Sequence, residues 1–188
     1  LESGVLGIET DVQLSSFGEL LLFHDDKLDR LLGREGCFHD LTQENVNSFK
    51  YSHGEKIPNL NELLFWLKEK PKMKLYLELK FPDYCSTHYI EKLVKECIKS
   101  LTRIGFPKNS LIGSFDLCAV KIIKRYLVDL ELDWPVFFIS ETMSKVEDAT
   151  KLGLDKNLSL RIDLYQKLSK EFTAQRNIVL WGINMNGV

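Results

Sequence analysis

The sequence predicts an α/β fold built on a parallel sheet, and composition, alternation and segment length each support it. The 188 residues are 44% hydrophobic and 28% charged, which is typical of a globular chain with one sizeable core. From Leu60 onward, helix-like and strand-like segments alternate without a low-complexity interruption. Because each crossover returns the chain in the same direction, such repeats form either an α/β barrel or an open doubly wound sheet.

The segments before Leu60 do not follow this regular alternation of helix and strand. Residues 5–14 and 19–23 have the composition of strands. Residues 31–55 are rich in turn formers, charges and short irregular pieces, which indicates an excursion between regular elements.

After this excursion the helices and strands have clear boundaries. Asn59 and Glu62 have the spacing of a capping box, so a short amphipathic helix is expected to begin between them. Residues 74–80 alternate leucine with polar residues and predict a strand, and a long helix follows that ends at Gly105. The remaining predicted elements are a strand at 111–115, a helix at 117–130, a strand at 136–139, a helix at 141–152, a strand at 158–162, a helix at 164–175 and a strand at 178–184.

The charge and cysteine patterns exclude several classes of protein. The formal net charge of −2 gives no broad basic surface for a nucleic acid backbone. The four cysteines are widely spaced and form no CxxC pair, so neither a disulfide framework nor a zinc cluster is indicated. No apolar run is long enough to cross a bilayer, and the first residues have no signal-peptide pattern, so we expect a soluble chain.

Two carboxylates share one face of the first strand-like segment. Glu9 and Asp11 are two residues apart and lie opposite the apolar Ile8 and Val12. Like charges at this spacing raise each other's pKa and are costly to bury, so they need bulk water or a cation between them. Taken alone, a solvated strand face is the simpler interpretation.

The same arrangement recurs in residues 74–80, where Glu78 and Lys80 lie opposite three leucines. If helices cover the leucine side, the charged side faces the interior of a barrel. Glu9, Asp11 and Glu78 would then offer oxygen ligands to one hard divalent cation, Mg²⁺ or Ca²⁺.

His24 follows an apolar run and precedes Asp25 and Asp26. This places an imidazole at the exit of a strand, which is where barrels keep their active sites. A lone histidine after an apolar run is more often structural, so a catalytic assignment depends on the surrounding motifs.

Five motifs between residues 5 and 80 resemble, in order and spacing, those of the glycerophosphodiester phosphodiesterase family. They are GIETDVQLS, LLLFHDDKLDR, DLT, IPNLNELL and LYLELK. The acidic pair of the family falls on Glu9 and Asp11, its His-Asp pair on His24 and Asp25, and its Glu-x-Lys on Glu78 and Lys80. Looser matches are Ser114-Phe115-Asp116 and Trp181-Gly182-Ile183-Asn184. Together the five ordered motifs are specific, although each alone is a weak pattern.

The resemblance implies a (β/α)₈ TIM barrel. Residues 1–188 would form a single partial barrel domain, with residues 15–57 as a small insertion after the second strand. The chain as given would lack the first and last strands of the barrel, and with them the first catalytic histidine of the family. Little activity is therefore expected of these 188 residues alone.

The reaction implied by the resemblance is metal-dependent hydrolysis of a glycerophosphodiester to glycerol 3-phosphate and an alcohol. Glu9, Asp11 and Glu78 would hold the divalent cation, Mg²⁺ or Ca²⁺. Lys80 would face the phosphate, and His24 would be one member of a general acid–base pair. Trp181 would close one wall of the glycerol pocket.

Two alternatives stay open. A barrel of this family that has lost catalysis would keep only a metal or phosphodiester site. A sphingomyelinase D-like phospholipase, which resembles this family, would carry an apolar surface patch and secreted disulfides, and the cysteine spacing argues mildly against it.

The expected partner is a small-molecule glycerophosphodiester, without nucleic acid or a membrane span. A cytoplasmic location is expected unless an export signal lies upstream of the chain as given. His39, His53 and His88 are expected on the solvated surface. The run of Lys68, Lys70 and Lys72 is most simply a solvated helix end.

Overall fold

The computed structural model describes residues 5–82 and 86–183. The chain divides into two compact units, Leu1–Ser110 and Leu111–Val188. The expectation of one partial barrel domain over residues 1–188 stays a prediction.

The first unit contains three strands that position the charged residues singled out above. Its elements are β1 (Gly7–Leu14), β2 (Leu20–Leu22), α1 (Asp29–Leu32), a 3₁₀ turn (Phe38–Asp40), α2 (Gln43–Ser48), α3 (Leu60–Lys68), β3 (Lys74–Leu79) and α4 (Thr87–Ile104). Strand β1 pairs antiparallel with β2 and parallel with β3. A parallel pair needs a long crossover, and residues 15–73 provide it.

The β1–β2 turn depends on Gly18. Its φ of 91° lies in the left-handed region, and its amide donates to the carbonyl oxygen of Ser15 at 3.0 Å. A side chain at this position would strain the backbone, so glycine is the residue that permits the tight reversal into β2.

The segment predicted as an insertion has an apolar cluster of its own. Phe23, Phe38, Leu41 and Ile57 are buried together, and the Phe23 and Phe38 rings stack with centroids 5.5 Å apart. The Tyr51 hydroxyl donates to the carbonyl oxygen of Leu22 at 3.1 Å. These contacts attach residues 31–57 to the end of β2 and to Phe23, the residue that precedes His24.

The predicted ends of two helices in this unit are confirmed. The Asn59 side chain accepts from the Glu62 amide, and the Glu62 side chain accepts from the Asn59 amide, which completes the capping box of α3. Helix α4 ends at Gly105, whose amide donates to the carbonyl oxygen of Leu101.

The second unit continues the predicted alternation. Its elements are β4 (Leu111–Ser114), α5 (Leu117–Asp129), β5 (Val136–Ser140), α6 (Met143–Lys151), β6 (Asn157–Arg161), α7 (Ile162–Tyr165), α8 (Lys170–Ala174) and β7 (Asn177–Trp181). Strands β4 to β7 pair in parallel, each with the next. Buried apolar side chains line β5 and β6, as expected for a parallel sheet covered by helices.

The prediction of a single helix at residues 164–175 was wrong. The chain forms α7 and α8 there, because Ser169 interrupts the helical path and accepts a hydrogen bond from the Phe172 amide as the N-cap of α8. The strand predicted at 178–184 begins one residue earlier and ends at Trp181, and Asn184 lies outside the described residues.

None of the helices in the described part of the chain has both the length and the apolar content to cross a bilayer.

Candidate active site

Strand pairing brings three carboxylates of the first unit together. In the β1–β3 register Asp11 lies directly opposite Glu78, and Glu9 precedes Asp11 by two residues on the same face. One carboxylate oxygen from each of the three residues lies within 4.8 Å of the other two. Asp11 and Glu78 are each only 9% exposed, whereas Glu9 is exposed.

This clustering perturbs the acids. Burial, followed by the charge of Asp11, raises the pKa of Glu78 to about 7, against an ordinary value of 4.5. Although the Glu9 side chain is exposed overall, partial desolvation of its carboxylate and, next, the charge of Asp11 raise its pKa as well. Negative charge at this site is therefore unfavourable unless a cation offsets it.

Lys80 supplies part of that positive charge. Its Nζ atom lies 3.5 Å from Oδ1 of Asp11 and 3.9 Å from Oε1 of Glu78. The lysine follows β3 directly and is two residues beyond Glu78, so it extends from the same face of the strand end.

The acidic cluster fits a hard divalent cation. Carboxylate oxygens are the ligands that Ca²⁺ and Mg²⁺ prefer, and two oxygens bound to one Ca²⁺ lie at most about 5 Å apart. The 4.8 Å limit on the separation of the three oxygens falls within that span. Burial is the main cause of the raised pKa of Glu78, and the charges of Asp11 and Glu9 add to it while Lys80 opposes it, so a bound cation would favour the ionised carboxylate.

His24 lies two residues after the end of β2, and its side chain contacts that of Asp25. Its Nδ1 atom lies 2.5 Å from Oδ1 of Asp25, and its side chain is 57% exposed. The charge of His24 lowers the pKa of Glu9, which opposes the effect of burial, so the imidazole acts electrostatically on the acidic cluster. A hydrogen bond at Nδ1 leaves Nε2 as the ring nitrogen that can exchange a proton with a ligand.

Two residues that support His24, namely Arg30 and Gln13, were not predicted from the sequence. Arg30 donates from Nε and Nη2 to the two carboxylate oxygens of Asp25 at 2.7 and 2.6 Å. The hydrogen bond from Arg30 is the main cause that lowers the pKa of Asp25 to about 2. The run His24-Asp25-Asp26-Lys27-Leu28-Asp29-Arg30 contains a basic residue five positions after Asp25, which was the only available signal.

Gln13 is the second residue that supports His24. It is fully buried on the same face of β1 as Glu9 and Asp11, and its Nε2 atom donates to the carbonyl oxygens of Phe23 and Asp25 at 2.9 and 3.1 Å. These two bonds flank His24 and attach its backbone to the strand that carries the acids. The period-two pattern of β1 could have placed Gln13 on this face, but not its partners.

Trp181 belongs to the second unit, at the end of β7. It is half-buried, and its ring meets that of Phe115 edge to face with centroids 5.8 Å apart. Its buried Nε1 atom has no hydrogen-bond partner among the described residues. Asp116 of the looser SFD match caps α5 by accepting from the Ala119 amide at 2.7 Å, which is a structural role.

One histidine expected on the solvated surface is partly buried instead. The His39 ring packs edge to face against Phe38 and Tyr89, and burial lowers its pKa. The two aromatic rings explain the difference, because they cover part of the imidazole and Tyr89 is distant in sequence. His53 and His88 are exposed as predicted.

Comparison with known proteins gives one consistent family. A family model described as the glycerophosphoryl diester phosphodiesterase family matches residues 1–184. A glycerophosphodiester phosphodiesterase from Caldanaerobacter subterraneus subsp. tengcongensis is 30% identical over 139 residues, which are 70% of this chain and 55% of the relative. One from Bacillus altitudinis is 31% identical over the same shares. The match thus spans little more than half the length of these curated relatives.

Solved structures agree on the fold. A putative glycerophosphoryl diester phosphodiesterase from Silicibacter pomeroyi aligns with a TM-score of 0.80 at 16% identity, covering 97% of this chain and 75% of that one. A phosphodiesterase from Oleispira antarctica, in complex with the product sn-glycerol-3-phosphate, aligns with a TM-score of 0.77 at 21% identity over the same shares. The predicted fold class, a (β/α)₈ TIM barrel, is confirmed by this likeness.

The family model spans nearly the whole sequence and includes all five motifs that carried the resemblance. The chain belongs to the glycerophosphoryl diester phosphodiesterase family.

Proposed function

We propose that this protein hydrolyses glycerophosphodiesters to glycerol 3-phosphate and an alcohol. The observation that carries the proposal is the approach of the Glu9, Asp11 and Glu78 carboxylates to within 4.8 Å of one another. Membership of the family supports the reaction class. The Oleispira antarctica phosphodiesterase, whose structure contains sn-glycerol-3-phosphate, supports the product.

Glu9, Asp11 and Glu78 would hold one divalent cation, Mg²⁺ or Ca²⁺. A cation bound there supplies positive charge that offsets the negative charge developing on the phosphodiester oxygens. Lys80 is proposed to bind a phosphate oxygen, since its ammonium lies beside Asp11 and Glu78 and is partly exposed. The lysine therefore contributes both to substrate binding and to charge balance in the site.

His24 is proposed to act as a general acid–base residue through Nε2. Nδ1–H donates to the Asp25 carboxylate, which orients the ring and directs Nε2 toward the substrate. The imidazolium can then protonate the departing alkoxide, or the neutral ring can remove the proton of the attacking hydroxyl. Arg30 keeps Asp25 ionised, so the carboxylate accepts from the ring in either protonation state.

Trp181 is proposed as an apolar wall for the glycerol portion of the substrate. Its ring is held by Phe115, which fixes the side-chain orientation at the end of β7. A cytoplasmic location completes the proposal, and it is supported by Cys37, Cys97 and Cys118, which are free thiols in the described part of the chain.

The test uses the intact protein with glycerophosphocholine and glycerophosphoethanolamine, and measures released glycerol 3-phosphate. We expect turnover that a chelator abolishes and that added Mg²⁺ or Ca²⁺ restores. Asp11→Asn should lower cation affinity and turnover by at least about 100-fold, because it removes a charged ligand. Glu44→Gln, an exposed acid at the start of α2, should change neither.

Three outcomes would contradict the proposal. One is turnover that is unaffected by the chelator together with unchanged cation affinity in Asp11→Asn. Another is cation binding without turnover of either diester, which would favour a binding module. The third is hydrolysis of sphingomyelin without hydrolysis of glycerophosphocholine, which would favour the phospholipase alternative.

A further inference from the structure

The outward face of α3 exposes two aromatic side chains. Phe65 is 56% exposed and Trp66 is 42% exposed, whereas Leu60, Leu64 and Leu67 on the inward face are buried. Neighbouring residues on a helix are about 100° apart, so Phe65 and Trp66 lie on either side of the outward direction. Adjacent large aromatic residues exposed on one helix mark an interaction surface.

One lysine ammonium lies near each of these two rings. The Nζ atom of Lys68 lies 6.0 Å from the centroid of the Phe65 ring, and that of Lys70 lies 5.7 Å from the centroid of the Trp66 ring. Lys72 is exposed in the following turn. Within residues 5–82 and 86–183, none of these three lysines forms an ion pair. We call Phe65, Trp66, Lys68, Lys70 and Lys72 the aromatic–lysine surface.

We propose that the aromatic–lysine surface binds the face of an anionic lipid bilayer. Aromatic rings, Trp above all, favour the boundary between headgroups and acyl chains, and lysines beside them are attracted to anionic headgroups. The four lysines between residues 65 and 74 outnumber the single Glu69, although the whole chain has a net charge of −2. This local excess of positive charge favours an anionic bilayer over a second copy of this chain.

The surface is separate from the acidic cluster. Helix α3 leads into the start of β3 at Lys74, whereas Glu78 lies near the end of the same strand. Four residues of strand separate Lys74 from Glu78 by roughly 13 Å. Bilayer binding is therefore independent of the proposed reaction and is measured without substrate.

Vesicle sedimentation tests the proposal with the purified intact protein. We expect binding to vesicles of equal parts phosphatidylcholine and phosphatidylserine, and much weaker binding to phosphatidylcholine alone. Each lysine near an anionic surface strengthens binding about fivefold, so K68Q/K70Q should weaken it by about 25-fold and added salt should weaken it further. Phe65→Ser with Trp66→Ser should also reduce binding, and circular dichroism checks that these variants fold.

Matched controls lie elsewhere on the molecule. K92Q/K95Q removes two exposed lysines from α4, and Val128→Ser removes an apolar side chain that is 76% exposed. Both should bind the mixed vesicles like the unaltered protein. Equal loss in the controls and in K68Q/K70Q would overturn the assignment to this surface.

The fluorescence of Trp66 measures bilayer binding at this surface directly. In W134F/W181F it is the remaining tryptophan of these 188 residues, and its emission should shift to shorter wavelength on the mixed vesicles but not on phosphatidylcholine alone. The proposal is overturned if the unaltered protein does not sediment with the mixed vesicles or if the emission does not shift. It is also overturned if the protein self-associates through this face, so that Phe65→Ser abolishes the dimer while vesicle binding is absent.

Discussion

Arg30 holds the carboxylate of Asp25 with two hydrogen bonds, from Nε to Oδ2 at 2.7 Å and from Nη2 to Oδ1 at 2.6 Å. A bidentate pair of this kind restrains both the position and the orientation of the carboxylate. Because Oδ1 also lies 2.5 Å from Nδ1 of His24, Arg30 orients the imidazole without contacting the acidic cluster.

Arg30→Gln should lower kcat by about tenfold, because it removes the charge-assisted hydrogen bonds that orient Asp25 and, through it, the His24 ring. KM should change little, since Arg30 acts through Asp25 and His24. Steady-state kinetics of glycerophosphocholine hydrolysis measure both constants. Arg34→Gln removes a cation from the same segment that stacks on Phe49, and it should leave kcat unchanged. Equal effects of the two variants would contradict a positioning role for Arg30.

His24→Gln should lower kcat by about 10²–10⁴, the range for loss of a general acid–base group. Cation affinity, measured by calorimetry, should change far less than in Asp11→Asn, because His24 is not among the proposed ligands and acts on Glu9 only through its charge. His53→Gln alters an exposed histidine of the same predicted insertion, residues 15–57, and serves as the control. Unchanged kcat in His24→Gln would remove this residue from the mechanism.

The stability of the cation-free protein should fall as pH rises. The pKa of Glu78 is about 7 in the folded state against an ordinary value of 4.5, so the folded state retains a proton that the unfolded chain has lost. The free energy of unfolding therefore decreases between about pH 4.5 and 7, by an amount on the order of 3 kcal/mol, and stays lower above that range. The raised pKa of Glu9 acts in the same direction.

Urea unfolding in the presence of a chelator, at a series of pH values, measures this slope. Glu78→Gln should remove most of it, whereas Glu44→Gln should retain it. Saturating Mg²⁺ or Ca²⁺ should restore stability above pH 7, because a ligand that binds the folded state stabilises it. An identical slope in Glu78→Gln and the unaltered protein would show that another group is responsible.

Gln13→Leu should destabilise the protein by about 2 kcal/mol, because the carbonyl oxygens of Phe23 and Asp25 lose their side-chain donor. It should also lower kcat, since these bonds attach the His24 segment to β1. Urea unfolding and steady-state kinetics measure the two effects. Gln43→Leu, an exposed change at the start of α2, is the matched control and should affect neither.

Much of the architecture could be predicted because its signals are local. Asn59 and Glu62 are three residues apart and cap α3 through contacts within one turn. The division of residues 164–175 into α7 and α8 was missed because Ser169 is tolerated inside a helix and also caps one, and only packing decides between the two. His39 was placed at the surface because its aromatic neighbour Tyr89 is fifty residues away in sequence.

The sequence by itself determined that Glu9 and Asp11 share a face, and Glu78 and Lys80 another, because side chains alternate along any strand. Tertiary structure alone decided that Asp11 pairs with Glu78, since strand register depends on how the intervening sixty or so residues pack. It also decided that Gln13 and Arg30 support the His24–Asp25 pair. Gln13 reaches the carbonyl oxygens of Phe23 and Asp25 across the β1–β2 turn, and Arg30 reaches Asp25 across five residues that follow neither a helical nor a strand period.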